Sequence, residues 1–288
     1  MKNNKFNIDE IALDIGSLAA QAMIYEVSCF PSPGLVSPVS NGSHSDMNFF
    51  TFIDSTAALS KYLVLFVQEG FSDKSCEDIF KNIRAIGIKA EKDMFDKTNR
   101  VNTHKGMLFL IGTVCAAVGK VIYSKGDFHD IKNVIKIMTH GIVSHELYNL
   151  DKNNDKLTHC EKIFLKYKTE GVRGEVERGI PTVFDFALDF YKKNLDLNIN
   201  DRLVHTLIGI MQICDDSTIV YRTSEEILEE VKAISKKIIQ DGGMRRKKGR
   251  EEINKLCDEF VSKNISPGGS ADLLGVTVFL YLVENYMN

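Results

Sequence analysis

The sequence predicts an all-α protein with a single multi-helix domain over residues 1–288. Two observations predict this fold class. Apolar residues recur at the i, i+3, i+4, i+7 spacing of a buried helix face along almost the whole chain, and no segment alternates apolar and polar residues as a half-buried strand does. The sequence contains no Ser/Gly-rich linker and no repeat of fixed period, so nothing in it marks a domain boundary.

The first predicted helix begins near residue 8, because Ile8, Ile11, Ile15 and Ala19 lie on one helix face. Several helix starts carry a capping pair, in which a polar side chain accepts a backbone N–H and an acid three residues later reaches back. These pairs are Asn7/Glu10, Ser75/Asp78, Thr158/Glu161 and Thr223/Glu226. About ten to twelve helices are predicted in all, the later ones at 48–70, 76–95, 107–123, 129–148, 159–169, 176–193, 201–214, 217–240, 250–264 and 270–287.

Composition excludes several classes of function. The formal net charge of −3 lacks the basic excess of a protein that binds nucleic acid. The cysteines are dispersed without a CxxC pair, which excludes zinc-ribbon and thioredoxin-like sites and favours a reducing compartment. The longest uncharged apolar run, 107–119, is shorter than a membrane-spanning helix requires. We therefore expect a cytoplasmic protein with neither a membrane nor nucleic acid as partner.

Polar residues, Gly and Pro cluster at six joints between the predicted helices. Binding and catalytic residues concentrate on loops that a rigid scaffold positions, so we expect the active site in these helix-joining loops. The six joints are EVSCFPSPGLVSP (26–38), NGSHSDM (41–47), NTHKG (102–106), TEGVRGEVERGIP (169–181), DDSTIVYR (215–222) and SPGGSAD (266–272).

Two adjacent acids, Asp215 and Asp216, follow a predicted apolar helix and suggest a Mg²⁺ site. Mg²⁺ is usually bound by one or two protein carboxylates together with phosphate oxygens, and Arg222 lies close enough in sequence to contact another phosphate oxygen. The alternative at this stage is that one Asp caps a helix and the other lies on the surface.

Two further joints have the features of phosphate sites. Ser266, Gly268, Gly269 and Ser270 precede or open the last predicted helix, where backbone N–H groups and the helix dipole favour an anion. A tight turn with a helix cap explains the same residues equally well. His104 and Lys105 lie before the apolar helix 107–123, where a cation and a neutral donor can both reach phosphate.

The remaining candidates serve acid or base chemistry. Asp46, two residues after His44, suits a metal or a general base, although a helix cap beside a hydrogen-bonded histidine has the same pattern. The joint 169–181 supplies Arg173 and Glu175 among three glycines, which allow the backbone to approach a ligand. A solvated, salt-bridged turn is the alternative for this joint.

In this order, the motifs EV…PSPGLV, GSHSDM, NTHKG, GVRGE, DDST…R and SPGGSADLL resemble the signature of the ATP:dephospho-CoA triphosphoribosyl transferase family over residues 10–285. The resemblance implies a helical enzyme that joins C1 of the ATP ribose to the ribose 2′-hydroxyl of 3′-dephospho-CoA and releases adenine. It also implies that a second transferase passes the product to the acyl carrier protein of citrate lyase or malonate decarboxylase.

The resemblance also implies roles for the candidate residues. Asp215 and Asp216 would bind Mg²⁺ on the triphosphate, and Asp46 with His44, or Glu175, would act as the base. The triphosphate oxygens would be held by His104, Lys105, Arg173, Arg222, Ser266 and the amides of Gly268, Gly269 and Ser270.

The chain lacks a charged residue of the family pattern at four positions and leaves other functions open. Family members read PKPGLVD and GAHRDMD, whereas this chain has Ser32, Ser37, Ser45 and Asn48 where those patterns have a charged residue, so the acceptor substrate can differ. The alternatives are an ADP-ribosyl hydrolase-like enzyme that also acts at a ribose C1, and a non-catalytic nucleotide-binding helical protein. An isoprenoid-type synthase is disfavoured because DDSTI lacks the third Asp of DDxxD.

Overall fold

A computed structural model describes residues 8–150 and 157–288. Within these ranges the chain forms helices and no β-strand, which confirms the all-α prediction. Two π-helical turns, Ser144–Tyr148 and Val183–Ala187, and a 3-10 turn at Gly243–Arg245 complete the regular structure. The α-helices are α1 Glu10–Ser28, α2 Phe49–Gly70, α3 Cys76–Lys97, α4 Lys105–Tyr123, α5 Asp130–Met138, α6 His159–Tyr167, α7 Gly171–Glu177, α8 Leu188–Lys192, α9 Ile199–Met211, α10 Ser217–Arg222, α11 Glu225–Gln240, α12 Lys247–Ser262 and α13 Gly268–Met287.

Helix α4 occupies the centre of the bundle and packs against α1, α2, α3, α5 and α13. By length and composition alone, both α2 and α4 are apolar enough to cross a membrane. In the structure, 72% of the apolar stretch of α4 is buried, against 39% of that of α2. Packing inside the bundle therefore accounts for the composition of α4. Each α-helix contributes residues to one continuous apolar core.

Glycine allows the two apolar helices to approach closely. A Cβ on Gly70 of α2 would lie 1.9 Å from the carbonyl oxygen of Ala116, and one on Gly119 of α4 would lie 2.4 Å from that of Val67. Real Cβ atoms do not approach a carbonyl oxygen so closely, because the distance is far below van der Waals contact. The contact between α2 and α4 therefore depends on glycine in both helices.

The capping predictions are confirmed at two of the four helix starts. Ser75 caps α3, and Thr158 forms a complete capping box with Glu161 at α6. At α11 the cap is Ser224, one residue after the predicted Thr223. Asn7 lies outside the described residues, and the α1 cap is the side chain of Asp9.

Three long predicted helices are interrupted. The predicted segment 217–240 is two helices, because the Ser224 side chain accepts the N–H of Ile227 and starts α11 there. The segment 129–148 breaks after α5 near Gly141, which has a φ of +80°. The segment 176–193 breaks where Gly179 and Ile180 both have positive φ, before Pro181. Helical periodicity continues through each break, so the pattern alone does not reveal it.

The carboxylate of Asp216 joins two helix starts. It caps its own helix, α10, by accepting the N–H groups of Thr218 (3.0 Å) and Ile219 (3.3 Å). It also accepts the N–H groups of Gly269 (3.2 Å) and Ser270 (2.7 Å) at the start of α13, and the Ser270 hydroxyl at 2.9 Å. Both carboxylate oxygens are engaged, and only 1% of the residue is exposed. One side chain therefore fixes the relative positions of α10 and α13.

We expect Asp216→Ala to lower the free energy of unfolding by about 2–4 kcal/mol, because two helix starts lose their cap and buried N–H groups lose their acceptor. Urea denaturation followed by circular dichroism measures the change. Asp215→Ala is the matched control, and because Asp215 is exposed it should change stability by less than about 0.5 kcal/mol. Equal effects of the two substitutions would contradict the double-cap account.

His205 makes the stability of the fold depend on pH. Its ring stacks on Phe190 at 5.1 Å, and its Nδ1 accepts the N–H of Met244 at 3.2 Å. Burial, followed by the charge of Arg245, lowers the pKa of His205 from 6.5 to about 4, and Asp196 opposes the shift. The unfolded chain binds a proton at higher pH than the native one, so stability is lost as the pH falls from about 6.5 to about 4.

We expect His205→Gln to flatten this part of the profile of unfolding free energy against pH, since Gln keeps an acceptor but does not titrate. Denaturation curves at a series of pH values measure the slope. If the slopes of the native protein and the variant are identical between pH 4 and 6.5, His205 does not supply this dependence.

Candidate functional site

The polar joints meet around the N-terminus of α13. Gly268 lies against Thr218, since a Cβ on Gly268 would be 3.2 Å from the Thr218 hydroxyl. A Cβ on Gly171, at the start of α7, would lie 3.4 Å from the hydroxyl of Ser217. One on Gly106, in the first turn of α4, would be 2.1 Å from a carboxylate oxygen of Asp272. Joints that are far apart in the sequence thus form one end of the bundle.

The loop between α1 and α2 is fastened to the same end. Gly34 has a φ of +72° and leaves no room for a side chain, because a Cβ there would lie 2.2 Å from the carbonyl oxygen of Ile265. The Ser43 hydroxyl lies 2.6 Å from that same carbonyl oxygen, to which it donates a hydrogen bond. Arg222 donates to the backbone oxygens of Ser43 and Asn264 and to the Asn264 side chain. Arg222, predicted to contact phosphate, therefore joins three segments of the protein itself.

A cavity of about 680 Å³ opens between α7, α11 and the N-terminus of α13. Its volume suits a small-molecule substrate. Its lining combines carboxylates, two cations and glycine backbone, and it includes residues from three of the predicted joints. The lining includes Lys168, Gly171, Glu175, Arg178, Asp215 and Gly269.

Glu175 is the cavity carboxyl with the most perturbed environment. Its Oε1 accepts the Thr182 hydroxyl at 2.8 Å, and its Oε2 accepts the Thr182 N–H at 3.4 Å. Burial raises the pKa of Glu175, the Thr182 hydrogen bonds and Arg178 oppose the shift, and Asp215 adds to it. A carboxyl whose pKa is moved towards neutrality suits general acid or base catalysis.

Asp215 and Asp216 do not form a joint pair of carboxylates. The Asp215 side chain is 76% exposed and lies 2.6 Å from the ammonium group of Lys232. Asp216 is buried, and both of its oxygens accept hydrogen bonds from the protein, although burial still raises its pKa. The joint Mg²⁺ role of these acids stays a prediction, and this geometry does not favour it.

The backbone amides of the SPGGSAD turn bind a carboxylate of the protein itself. The amides of Gly269 and Ser270, predicted to hold phosphate, donate to Asp216 instead. The helix N-terminus does bind an anion, as its sequence indicates, but that anion is an internal carboxylate. Gly268 contacts Thr218, and Ser266 is buried with its hydroxyl 2.9 Å from Nε2 of His44. These contacts help to place the start of α13, and the phosphate role of the turn stays a prediction.

His44 and Asp46 form a loose pair. His44 Nδ1 lies 3.9 Å from the Asp46 carboxylate, beyond hydrogen-bond distance, and the Asp46 side chain is 59% exposed. Burial, then the nearby charge of Arg222, lowers the pKa of His44, while Asp46 opposes the shift. A neutral imidazole beside an exposed carboxylate is compatible with base chemistry, which stays a prediction.

The other predicted phosphate ligands already have partners. The ammonium group of Lys105 lies 2.6 Å from Glu91, and Arg173 donates to Glu146 at 2.7 Å. His104 is 1% exposed, its Nδ1 lies 2.7 Å from the Ser55 hydroxyl, and burial lowers its pKa to about 3. Among residues 8–150 and 157–288, its Nε2 has no hydrogen-bond partner. Half-exposed ion pairs of the Lys105 type contribute little free energy, so Lys105 can exchange Glu91 for a phosphate.

Two acids that were not predicted as site residues lie beside these joints. Glu26 near the end of α1 is 7% exposed, and burial raises its pKa to about 8. Burial, then Glu26 and Asp216, raises the pKa of Asp272 on α13. A sequence signal existed for both. Glu26 lies on the buried face that Ile15, Ala19 and Met23 define, and Asp272 is the single charged residue between 268 and 283.

The four positions where the chain lacks a charged residue of the family pattern lie on the α1–α2 loop and have different environments. Asn48 is the N-cap of α2 and forms a capping box with Thr51, so it has a structural role of its own. Ser37 is buried and pairs with Ser40 through its backbone. Ser32 is buried, and its hydroxyl has no hydrogen-bond partner in the described part of the chain, whereas Ser45 is exposed.

Comparisons with known proteins agree with the motifs. A family model described as ATP:dephospho-CoA triphosphoribosyl transferase matches residues 12–288. A protein of Malonomonas rubra named 2-(5''-triphosphoribosyl)-3'-dephosphocoenzyme-A synthase is 35% identical over 97% of this chain and 90% of its own length. Protein CitXG of Leuconostoc mesenteroides is 41% identical over 91% of this chain and 57% of its own.

A solved structure from Archaeoglobus fulgidus, described as a triphosphoribosyl-dephospho-CoA synthase, aligns with 81% of this chain and 99% of its own, at 15% identity and a TM-score of 0.49. The family model and the Malonomonas protein both span nearly the whole sequence. This chain therefore belongs to the ATP:dephospho-CoA triphosphoribosyl transferase family.

Proposed function

We propose that the protein is a pentosyltransferase that joins the triphosphoribosyl group of ATP to the ribose 2′-hydroxyl of 3′-dephospho-CoA and releases adenine. Membership of the family and the names of the full-length relatives support this function. The comparisons give no support to an ADP-ribosyl hydrolase-like enzyme or a non-catalytic nucleotide-binding protein. The observation that carries the proposal is the cavity where Glu175, Asp215 and Gly269 from three family motifs meet.

The chemistry requires two proton transfers. The bond that breaks joins C1 of the ATP ribose to adenine, the bond that forms joins C1 to the acceptor oxygen, and the triphosphate is retained. Displacement at a sugar C1 proceeds through an oxocarbenium-like transition state that nearby carboxylates stabilise. The hydroxyl must lose a proton and adenine must gain one.

Glu175 is suited to one of these proton transfers. Its carboxyl lies in the cavity wall, and burial moves its pKa towards neutrality while Thr182 holds both oxygens. Asp46, with His44 beside it, remains the second candidate for the base. Its side chain is 59% exposed, so a substrate can reach the carboxylate from solvent.

The negative charge of the triphosphate must be neutralised by cations, and most basic side chains near the site already form ion pairs with protein carboxylates. Lys105 can exchange Glu91 for phosphate at low cost, and Arg178 at the cavity edge can exchange Glu170 in the same way. Arg173 is more buried and bonded to Glu146, so its release costs more. We propose Mg²⁺ as the additional cation, bound with the ATP triphosphate.

We further propose a cytoplasmic enzyme that supplies a prosthetic-group precursor to a second transferase, which modifies the acyl carrier protein of citrate lyase or malonate decarboxylase. Within the described residues the six cysteines are all free thiols, which supports a reducing compartment. The family relationship supports the place in the pathway.

Incubating the protein with ATP, Mg²⁺ and 3′-dephospho-CoA should release adenine and form the condensed triphosphoribosyl product in equal amounts. Mass spectrometry detects both. Without 3′-dephospho-CoA, adenine release should fall to background. Equal release of adenine with and without the acceptor would instead identify a hydrolase, and binding of ATP without turnover would identify a non-catalytic protein.

Glu175→Gln should lower kcat by about 10²–10⁴-fold, because the amide cannot transfer the proton.

Thr182→Val removes the hydroxyl that stabilises the Glu175 carboxylate, so the pKa of Glu175 should rise further. The matching limb of the profile of kcat/KM against pH should then move to higher pH. Near-native kcat in Glu175→Gln, or an unmoved profile in Thr182→Val, would remove Glu175 from the chemistry.

A further inference from the structure

The walls of the cavity between α7, α11 and α13 carry mostly negative charge. Of the described residues that line it, more are acidic than basic. The acidic residues are Glu170, Glu175, Asp215, Glu225 and Glu229, and the basic residues are Lys168 and Arg178. A triphosphate carries several negative charges, and like charges that are brought together in a binding site repel each other. The interior of this cavity therefore does not suit the triphosphate of ATP.

Ion pairs within the protein already neutralise cations near this lining. Arg178 pairs with Glu170, and the Arg178 side chain is 56% exposed. Lys232 pairs with Asp215 at 2.6 Å and with Glu229 at 2.9 Å. A phosphate group inside the cavity would compete with these carboxylates, whereas a phosphate group at its edge can reach the exposed Arg178. We therefore expect the triphosphate at the cavity edge.

The cavity also presents an apolar surface to a planar ring. Val172 of α7 and the buried Leu228 and Leu273 belong to the lining. The adenine of ATP is an uncharged aromatic ring, and apolar side chains bind such a ring by removing its faces from water. A volume of about 680 Å³ has room for the base together with its ribose. The adenine end of ATP thus matches the cavity in both charge and polarity.

Glu175 lies in the wall of this cavity with one oxygen that can carry a proton. Its Oε1 accepts the Thr182 hydroxyl at 2.8 Å. Its Oε2 lies 3.4 Å from the Thr182 nitrogen, which is a longer and weaker contact. A proton on Oε2 therefore disturbs the hydrogen bonds of Glu175 less than a proton on Oε1. Burial favours this protonated form, since it raises the pKa of Glu175.

We propose that the cavity holds the adenine end of ATP and that Glu175 is the acid that protonates adenine as it leaves. This inference rests on the proposed function and assigns one of its two proton transfers. The bond between C1 of the ribose and adenine breaks, and its electron pair stays with adenine. The proton of Glu175 moves to a ring nitrogen, so neutral adenine departs and a Glu175 carboxylate remains, which recovers a proton from water.

The other half of the reaction uses a different group. C1 accepts an electron pair from the acceptor hydroxyl, and the proton of that hydroxyl passes to a base. Because Glu175 enters this step as a proton donor, Asp46 with His44 is the candidate that remains for the base. Positive charge develops on the ribose as the bond to adenine breaks, and the carboxylates of the cavity stabilise that charge.

The first test compares two donors in the condensation with 3′-dephospho-CoA, followed as condensed product by mass spectrometry. Adenine needs a proton to leave ATP, whereas N7-methyl-ATP already carries a cationic base that leaves as neutral 7-methyladenine. Glu175→Gln should lower kcat by about 10²–10⁴-fold with ATP but by less than about tenfold with N7-methyl-ATP. Glu229→Gln removes another carboxylate of the lining and should change both rates by the same factor.

An equal loss of kcat with both donors in Glu175→Gln would overturn the acid role, because the acceptor hydroxyl must lose its proton with either donor. Circular dichroism checks that both variants keep the native helical content. The proposed function fails separately, if the native protein forms no condensed product from either donor. In that case the binding test still decides which end of ATP the cavity holds.

The binding test uses adenosine and inorganic tripolyphosphate, which each carry one end of ATP, with the full-length protein and isothermal titration calorimetry. Val172→Phe narrows the cavity and should weaken adenosine binding by about tenfold or more, with tripolyphosphate binding unchanged. Val261→Phe, on α12 at a position that is 47% exposed, is the matched control and should change neither affinity. Absence of saturable adenosine binding to the native protein would contradict the assignment. Loss of tripolyphosphate binding alone in Val172→Phe would also contradict it.

Discussion

The carboxylate of Asp216 is the interaction on which the functional end of the molecule depends. It is buried, and it accepts N–H groups from the first turns of α10 and α13 together with the Ser270 hydroxyl. A carboxylate buried in this way is tolerable because its donors satisfy both oxygens and two helix dipoles are directed at it. Once α13 is placed, Gly269 and Leu273 contribute to the cavity wall and Asp272 faces α4. Asp216 therefore both stabilises the fold and sets the geometry of the site.

Charge pairing explains how an acidic chain can form a site for a polyphosphate. The basic residues near the site are held in place by protein carboxylates or carbonyl oxygens, as Lys105, Arg173 and Arg222 show. The carboxylates have more varied environments. Asp216 is fully hydrogen-bonded, Glu175 is partly so, and Glu26 is buried without a hydrogen bond to its carboxylate from the residues that the structure describes. The number of hydrogen bonds that a carboxylate accepts therefore distinguishes acids that stabilise the fold from acids that are available for chemistry.

Much of the fold follows from the sequence, because periodic burial sets both the type and the position of the long helices. Helix α2 begins within one residue of its predicted start, and α3 begins at the predicted residue. The breaks at Ser224 and Gly179 were missed because local hydrogen bonds and positive φ angles interrupt the helix without changing the apolar period. The contact between Asp216 and the start of α13 could not be predicted from the sequence for another reason. Sequence shows two acids and an anion-binding turn separately, and only the fold brings them within hydrogen-bond distance.

The central claim, that Asp216 holds the start of α13 and thereby the site, is tested most directly by amide hydrogen exchange at Gly269 and Ser270 in the full-length protein. Both amides should exchange nearly as slowly as those of the core helix α4, because breaking their bonds to a buried carboxylate requires the helix start to open. In Asp216→Ala their exchange should accelerate strongly while α4 stays protected. Fast exchange of both amides in the native protein would contradict the account.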